Sequence, residues 1–290
     1  MNYFDEMLEN IKKKHNTNNL LRNIINPFSP YFICDYCISH ESKIIEIPLK
    51  NILKSKELPN FQENDIIQCQ VDLLAHFIDK ILPNIQTNII LITSQRELPQ
   101  IHQSKKTDEL LNHPKISLWI SQNPIYPESD KYHPFPYGVD HKRIHTFYKK
   151  LFEKNKKEIN LNYLYCSNTH PSREKLPNGP KYNLDEYYDQ VKKSNFLISP
   201  IGDRDDCYRH YECIAFETIP ISNISENYKS IFGDNMLYKN INKIKRIIET
   251  NKIKVPYTPP NKNLICLSYH VNILNQKLKN LGINKTITIN

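Results

Sequence analysis

A chain of 290 residues, 39% hydrophobic and 24% charged, is too long for one small core and too apolar for disorder, so two medium domains are expected. Its 39 Lys and Arg against 31 Asp and Glu give a formal charge of +8, but the basic residues are scattered or sit in helix-like segments (Lys12–Lys14, Lys149–Lys157), which argues against nucleic acid as the partner. Seven cysteines without a framework, and no stretch near the ~20 apolar residues of a membrane span, fit a reducing, cytoplasmic setting with at most peripheral membrane contact.

In chain order, residues 5–23 have a helical pattern, and "PYFICDYCI" begins a strand. Cys34, Cys37 and His40 have zinc-compatible spacing, but no second half-site completes the four ligands of a structural zinc, so no metal is expected. The alternating "SKIIEIPL" precedes a helix over "VDLLAHFIDKILPNI", a buried strand "NIILITS" and another strand in "ISLWISQNP". "KYHPFPYGVD", rich in proline and aromatics, reads as a shaped loop rather than helix or strand. The charged helix "HKRIHTFYKKLFEKNKKEI" leads to the strand "NLNYLYCSN", and the rhythm resumes with the helix "LDEYYDQVKKS", the strand "NFLISP", the loop "IGDRDDC", the helix "YRHYECIAFET" and the strand "IPISN". A helix over 240–250 and a turn plus helix in "LICLSYHVNILNQKLKNL" follow. Strand, helix and strand in succession predict parallel α/β units.

The densest polar cluster lies where ligands of open α/β sheets bind, beyond the carboxyl end of "NFLISP". Gly202 allows a tight turn after Ser199 and Pro200, and a helix starting near Asp206 presents its first N–H groups to a phosphate. Arg209 and Glu212 share a face of that helix, a guanidinium suited to diphosphate oxygens and a carboxylate suited to ribose hydroxyls. The plain alternative is a surface ion pair between the two. Trp119 reads as core, and Asn123, at a strand end, as a hydrogen-bonding residue for an acceptor. His141 and His145 are four apart but otherwise lack a metal-ligand pattern, and no GxSxG, HExxH or Walker signature is present.

The order Ser199-Pro200, Gly202, Asp206-Cys207, Arg209, Glu212 and "IPI" resembles the donor-binding motif of exostosin-like glycosyltransferases, broadly SPxGxxxDCxRxxEaxxxGxIPI. "LYCSNTHPSR" resembles the first strand and loop of that family's donor domain. The stretches "NIILITSQRELP", "HPKISLWISQNP" and "HPFPYGVD" resemble, in order, the N-terminal domain of its xylosyltransferase-containing branch. The matches run from about Val71 to Ile221. Ser94 replaces a glycine, Ile201 a basic residue, and Glu217-Thr218 the usual small-residue-and-glycine pair.

The resemblance implies an α/β, GT-B fold with two Rossmann-like domains facing across a cleft. The expected division is 1–150 on the acceptor side, 151–265 for the nucleotide sugar, and a helix at 266–290 packing back on the first domain. It implies inverting transfer of a sugar, xylose among the candidates, from a UDP- or GDP-sugar, with UDP favoured, to a hydroxyl of a glycan or glycoconjugate, without cofactor or metal. Arg173, Ser199, Pro200, Gly202, Asp206, Arg209 and Glu212 are the expected donor-binding residues, with Arg173 beside the phosphates. Inversion needs a general base from the N-terminal domain, for which Glu97 is the first candidate and Asp140 the second. Asp203-Arg204-Asp205 has the form of a metal-binding Asp-x-Asp triplet, but its setting between a glycine turn and a helix start reads as loop-shaping charge. A fucosyltransferase-like GT-B enzyme, or a non-catalytic glycan- or nucleic-acid-binding protein, are the alternatives.

Overall fold

The apolar runs of the chain assemble into two separate parallel sheets in a computed structural model that describes residues 2–40, 50–54, 57–94, 100–153, 161–166, 176–177 and 179–290. Two compact units result, one made of Leu21–Tyr137 with Leu267–Asn290, the other of Met1–Leu20 with Gly138–Cys266.

The first unit holds β1 (Tyr36–Ile38), β2 (Lys50–Asn51), β3 (Asp65–Gln70), β4 (Ile89–Ser94), β5 (Ile116–Ser121) and β6 (Tyr132–Pro134). Among the described residues their order is β2-β1-β3-β4-β5-β6, and every pairing is parallel. Such an order, reversing direction at β1 and β3, is that of a doubly wound sheet. All six residues of β3 and of β4 are buried, as a sheet covered on both faces requires.

"DIIQCQ", the sequence of β3, carries three polar residues in six and lacks both the alternation and the apolar run that identify strands. Its two glutamines find partners at the carboxyl end of the sheet, where Gln68 Nε2 donates to Ser94 Oγ (2.7 Å) and Gln70 Oε1 accepts from the His40 N–H (3.0 Å), while the buried Gln68 Oε1 has no partner among the described residues. The proline-rich segment expected as a loop also contains a strand. β6 is an edge strand, where Pro134 removes no donor that the sheet needs.

The helical stretch over 71–84 passes through 3-10, α and π turns, which brings Leu73, Leu74, Phe77, Ile81 and Leu82 into the core. There Trp119 is fully buried, edge-on to Tyr132 (5.1 Å between centroids) and Tyr126 (6.1 Å), with its indole N–H donating to Thr93 Oγ1 (2.9 Å). Cys34, Cys37 and Cys69 are buried thiols outside any disulfide. Among the described residues no group of three or more His, Cys, Asp or Glu is arranged to hold a metal ion, and no helix is long and apolar enough to cross a membrane. Residues 42–49, the whole of the alternating "SKIIEIPL", lie outside the described residues.

The helix Leu267–Asn280 belongs to this first unit. His270 lies edge-on to Phe135 (6.0 Å), and Glu128 joins Lys277 (3.0 Å) to His133 (2.8 Å). The His133 hydrogen bond and the two neighbouring cations hold the Glu128 carboxyl at about 2, against the cost of partial burial.

The second unit carries β7 (Leu161–Leu164), β8 (Ser194–Ile198), β9 (Ile219–Ser222) and β10 (Leu237–Tyr238), all parallel, in the simple order β10-β9-β8-β7. The helices Leu184–Lys192 and Tyr208–Ala215 make the crossovers around β8. A cut at 150 would assign residues 1–20 and 138–150 elsewhere, but the helix Tyr3–Lys13 buries the stripe Phe4, Met7 and Ile11, and its Phe4 N–H donates to Asn263 Oδ1 (2.9 Å). His15 stacks on Tyr148 (4.6 Å) within the same unit, and His145 bonds Thr17 Oγ1 (2.9 Å) rather than pairing with His141 around a metal.

Before β9, Thr218 Oγ1 donates to the carbonyls of Val191 (2.8 Å) and Ser194 (2.9 Å), tying the helix Leu184–Lys192 to the sheet. Glu217 takes φ +58°, the left-handed region that glycine adopts freely. In the motif as spaced above, the glycine falls on this residue.

Two outcomes are expected. Glu217→Gly should raise stability by about 0.5–1 kcal/mol in urea unfolding, because relief of the left-handed strain exceeds the added chain entropy and the loss of a half-exposed ion pair to Lys262. For Glu128 the folded pKa is depressed, so its contribution is present above about 4.5 and is lost as pH falls through about 2. A pH series of thermal midpoints between 2 and 5 should show a shallower slope for Glu128→Gln than for the wild type.

Candidate functional site

A cavity of about 560 Å³ opens in the second unit beyond the carboxyl ends of β7 and β8, the expected ligand position in a parallel α/β sheet. Cys166, just past β7, forms one part of its wall. Pro180 to Leu184 form another, leading into the helix Leu184–Lys192, whose Asn183 N-cap is closed by a reciprocal bond with Glu186 (3.0 and 3.1 Å). Gly179 permits this approach, since a Cβ there would stand 3.0 Å from the Cys166 backbone and the Tyr165 ring. Cys207, Tyr208, Arg209 and Glu212 come from the helix Tyr208–Ala215, and Arg143 precedes the helix Ile144–Phe152. The starts of three helices therefore border one cavity, an arrangement that favours an anion.

Inside it, Glu212 is 4% exposed and accepts from Tyr187 OH at Oε2 and from Tyr188 OH at Oε1, each at 3.1 Å. Burial pushes its carboxyl above the ordinary range, opposed by the tyrosine hydroxyls, Arg209 and Arg143. The Arg209 guanidinium lies over the Tyr187 ring (5.8 Å), and among the described residues its buried Nη1 has no hydrogen-bond partner. A buried cationic donor left unmatched by the protein is poised for an anionic ligand. The surface ion pair considered from spacing alone is not what forms, because Glu212 is buried and held by tyrosines.

Other expected residues lie behind the wall. Asp206 is 1% exposed; its Oδ1 stands 3.2 Å from His210 Nδ1, and its Oδ2 accepts from Tyr211 OH. His210 Nε2 donates to the Ser199 carbonyl (3.1 Å). Burial opposes a charge on His210, but Cys207 and Asp206 outweigh it and push the imidazole up to about 10. Asp206 thus anchors the helix and is absent from the cavity wall. Ser199 is fully buried, its hydroxyl 3.5 Å from Cys207 Sγ, and Pro200 is buried next to it. Gly202 donates to the Arg204 carbonyl (3.1 Å) without a left-handed φ, so the turn does not depend on glycine in the way expected. The helix begins at Tyr208, two residues later than the pattern suggested. Arg204 pairs with Asp203 (3.5 Å), within the Asp-x-Asp triplet.

Asp140 sits in the same unit as the cavity, not in the first unit as expected for a base. It caps the turn at His141–Arg143 by accepting from the Lys142 N–H (2.9 Å) and lies 3.3 Å from Arg143 Nε. Asn123 lies in the first unit, with Nδ2 donating to the Ile101 carbonyl (3.4 Å) and, among the described residues, no partner for its buried Oδ1. Glu97 and Arg173 lie outside the described residues.

Sequence reasoning missed Arg143, Tyr182 and Tyr187. Their signals were slight: an arginine at a helix start in "HKRIH", and a tyrosine pair in "DEYYDQ" that looked amphipathic.

Residues 148–241 match the family model described as RXYLT1 C-terminal domain. The match covers 94 of the chain's 290 residues (148 through 241), includes Arg209 and Glu212, and supports the resemblance to xylosyltransferase-type, exostosin-like glycosyltransferases. No curated protein matches the chain.

Stability measurements should separate the anchoring residues from those facing the cavity. Asp206→Ala breaks a buried charged cluster and should cost about 3–5 kcal/mol in denaturant unfolding. Arg209→Ala, which gives up one cation–π contact and one of several groups that offset the Glu212 charge, should cost less, about 1–2 kcal/mol. Equal losses would place Arg209 in the framework.

Proposed function

We propose that the chain is an inverting glycosyltransferase of GT-B type that takes a nucleoside diphosphate sugar, UDP-linked in preference to GDP-linked, and passes the sugar to a glycan hydroxyl without a metal ion. The observation that carries this reading is the pairing, one helical turn apart, of a guanidinium whose buried Nη1 has no partner among the described residues and a buried carboxylate in one cavity. The match of this segment to the RXYLT1 C-terminal domain agrees with it.

In this reading Arg209 Nη1 hydrogen-bonds the diphosphate and neutralises the charge that grows on it as the glycosidic bond breaks. Arg143 and Lys181, also at the wall, supply further positive charge. Glu212 receives the ribose hydroxyls. Tyr182, Tyr187 and Tyr208 offer apolar faces with hydroxyl tips, suited to a nucleobase. The acceptor hydroxyl loses its proton to a carboxylate as it attacks opposite the leaving diphosphate. Glu97 remains the assignment for that base, since Asp140 is committed to a helical cap and to Arg143. Asn123 is proposed to contact the acceptor, and the setting is proposed to be cytoplasmic.

A thermal-shift assay in EDTA tests the reading directly. UDP should raise the wild-type midpoint, and folded Arg209→Ala should show no rise and a turnover lower by about 100-fold or more. Transfer abolished by EDTA and restored by Mn²⁺ would defeat the metal-free mechanism, and wild-type turnover in Arg209→Ala would defeat the site.

A further inference from the structure

We infer that Tyr187 and Tyr188 are positioning residues that make Glu212 a receptor for a vicinal diol, so that the cavity selects a ribonucleotide over its 2′-deoxy counterpart. The inference rests on the nucleotide-sugar reading of the same site.

The two tyrosines are consecutive in one helix, yet both hydroxyls reach one carboxylate: Tyr187 OH donates to Oε2 and Tyr188 OH to Oε1, each at 3.1 Å. An ionised carboxylate has about four acceptor positions, two on each oxygen. Among the described residues one position per oxygen is taken by a tyrosine, which leaves one per oxygen, and Glu212 is part of the cavity wall. Two adjacent acceptors match two adjacent hydroxyls, whereas a 2′-deoxyribose supplies only one.

The two tyrosines are placed differently. Tyr187 lines the cavity, so part of any effect of changing it would be contact with the ligand. Tyr188 is fully buried and absent from the wall, with its ring against Phe147 (6.0 Å) and Phe216 (5.5 Å). Its hydroxyl can influence a ligand only by way of Glu212.

Glu212 faces the two tyrosines from the helix Leu184–Lys192, Arg209 and Cys213 from its own helix, and Arg143 from the start of the helix Ile144–Phe152. Burial is the largest influence and favours the neutral acid; the two hydroxyls and the two guanidiniums oppose it. Removing one hydroxyl therefore moves Glu212 towards the protonated form, which has fewer acceptor positions to offer a diol.

Tyr188→Phe keeps the ring and its packing and removes only the hydroxyl. Calorimetric titration of wild type and Tyr188→Phe with UDP, 2′-deoxy-UDP and inorganic pyrophosphate, in EDTA at neutral pH, tests the selectivity. The wild type should prefer UDP over 2′-deoxy-UDP by about tenfold or more, the effect of one hydrogen bond to a charged acceptor. In Tyr188→Phe the preference should shrink to about threefold or less, with pyrophosphate binding within about twofold of wild type, because the phosphate side of the site is untouched. A folded Tyr188→Phe protein with the wild-type preference overturns the inference. Should GDP bind in place of UDP, GDP and 2′-deoxy-GDP serve as the pair.

The ligand-free protein gives an independent readout, the ¹³C resonance of the Glu212 carboxyl, identified by its loss in Glu212→Gln. Its titration midpoint should rise by about one pH unit in Tyr188→Phe. Coincident midpoints defeat the positioning role whatever the ligand. Failure of wild type to bind either UDP or GDP defeats the nucleotide reading and the selectivity with it, while the titration still decides what the tyrosines do to Glu212.

Discussion

The site depends on how one short helix is rotated. His210 reaches back to the Ser199 carbonyl at the end of β8, and Asp206 holds His210 and Tyr211 in a buried polar cluster, so one face of the helix Tyr208–Ala215 is fastened to the sheet. Arg209 and Glu212 are thereby turned to the cavity. At 3.6 residues per turn, a slip of one position would exchange the two sets and put the arginine into the core. A fully buried cluster of this kind is costly unless every partner is present, and that all-or-none character gives a helix of two turns a single seating.

Residues of one sequence motif thus take different places. Arg209 and Glu212, three residues apart and so on one face of the helix, come together in the cavity wall. Asp206 and Ser199 belong to the same sequence signature but serve the helix's attachment. Spacing alone does not separate a residue that touches a ligand from one that aims its neighbour. The fold was legible where periodicity or apolar runs were strong, as in "NIILITS" and "ISLWISQNP". It was illegible at β3, whose glutamines find partners only once β1 and β4 lie beside it, and at β6, where proline is harmless because the strand is at an edge. Tyr187 and Tyr188 were legible only as part of a helix, because the carboxylate they hold lies 25 and 24 positions away in Glu212.

The burial of Glu212 bears on the ribose role proposed for it. In water its oxygens would be occupied by solvent, and a sugar hydroxyl would merely replace one partner with another. Enclosed beside aromatic rings, with a fixed pair of donors already in place, its remaining acceptor positions are open to fewer competing partners than in water. Burial raises the cost of the charge, and the tyrosines and guanidiniums offset it; the same groups confine the direction from which a ligand can satisfy it.

The interleaving of the two units along the chain bears on how the protein is made. Neither unit is a continuous segment: the six-stranded sheet is completed by the helix Leu267–Asn280 and by Lys285, which reaches Asp35 at 2.6 Å, while the four-stranded sheet takes in the helix Tyr3–Lys13. During synthesis, the strands up to β6 leave the ribosome long before the helix that covers Phe135 and meets Glu128. Vectorial folding, in which an earlier domain is finished before a later one begins, is therefore closed to this architecture. The first sheet must wait, partly uncovered, until the second has been translated, so the two should mature together late in synthesis, and the interval before then is when the nascent chain most needs a chaperone.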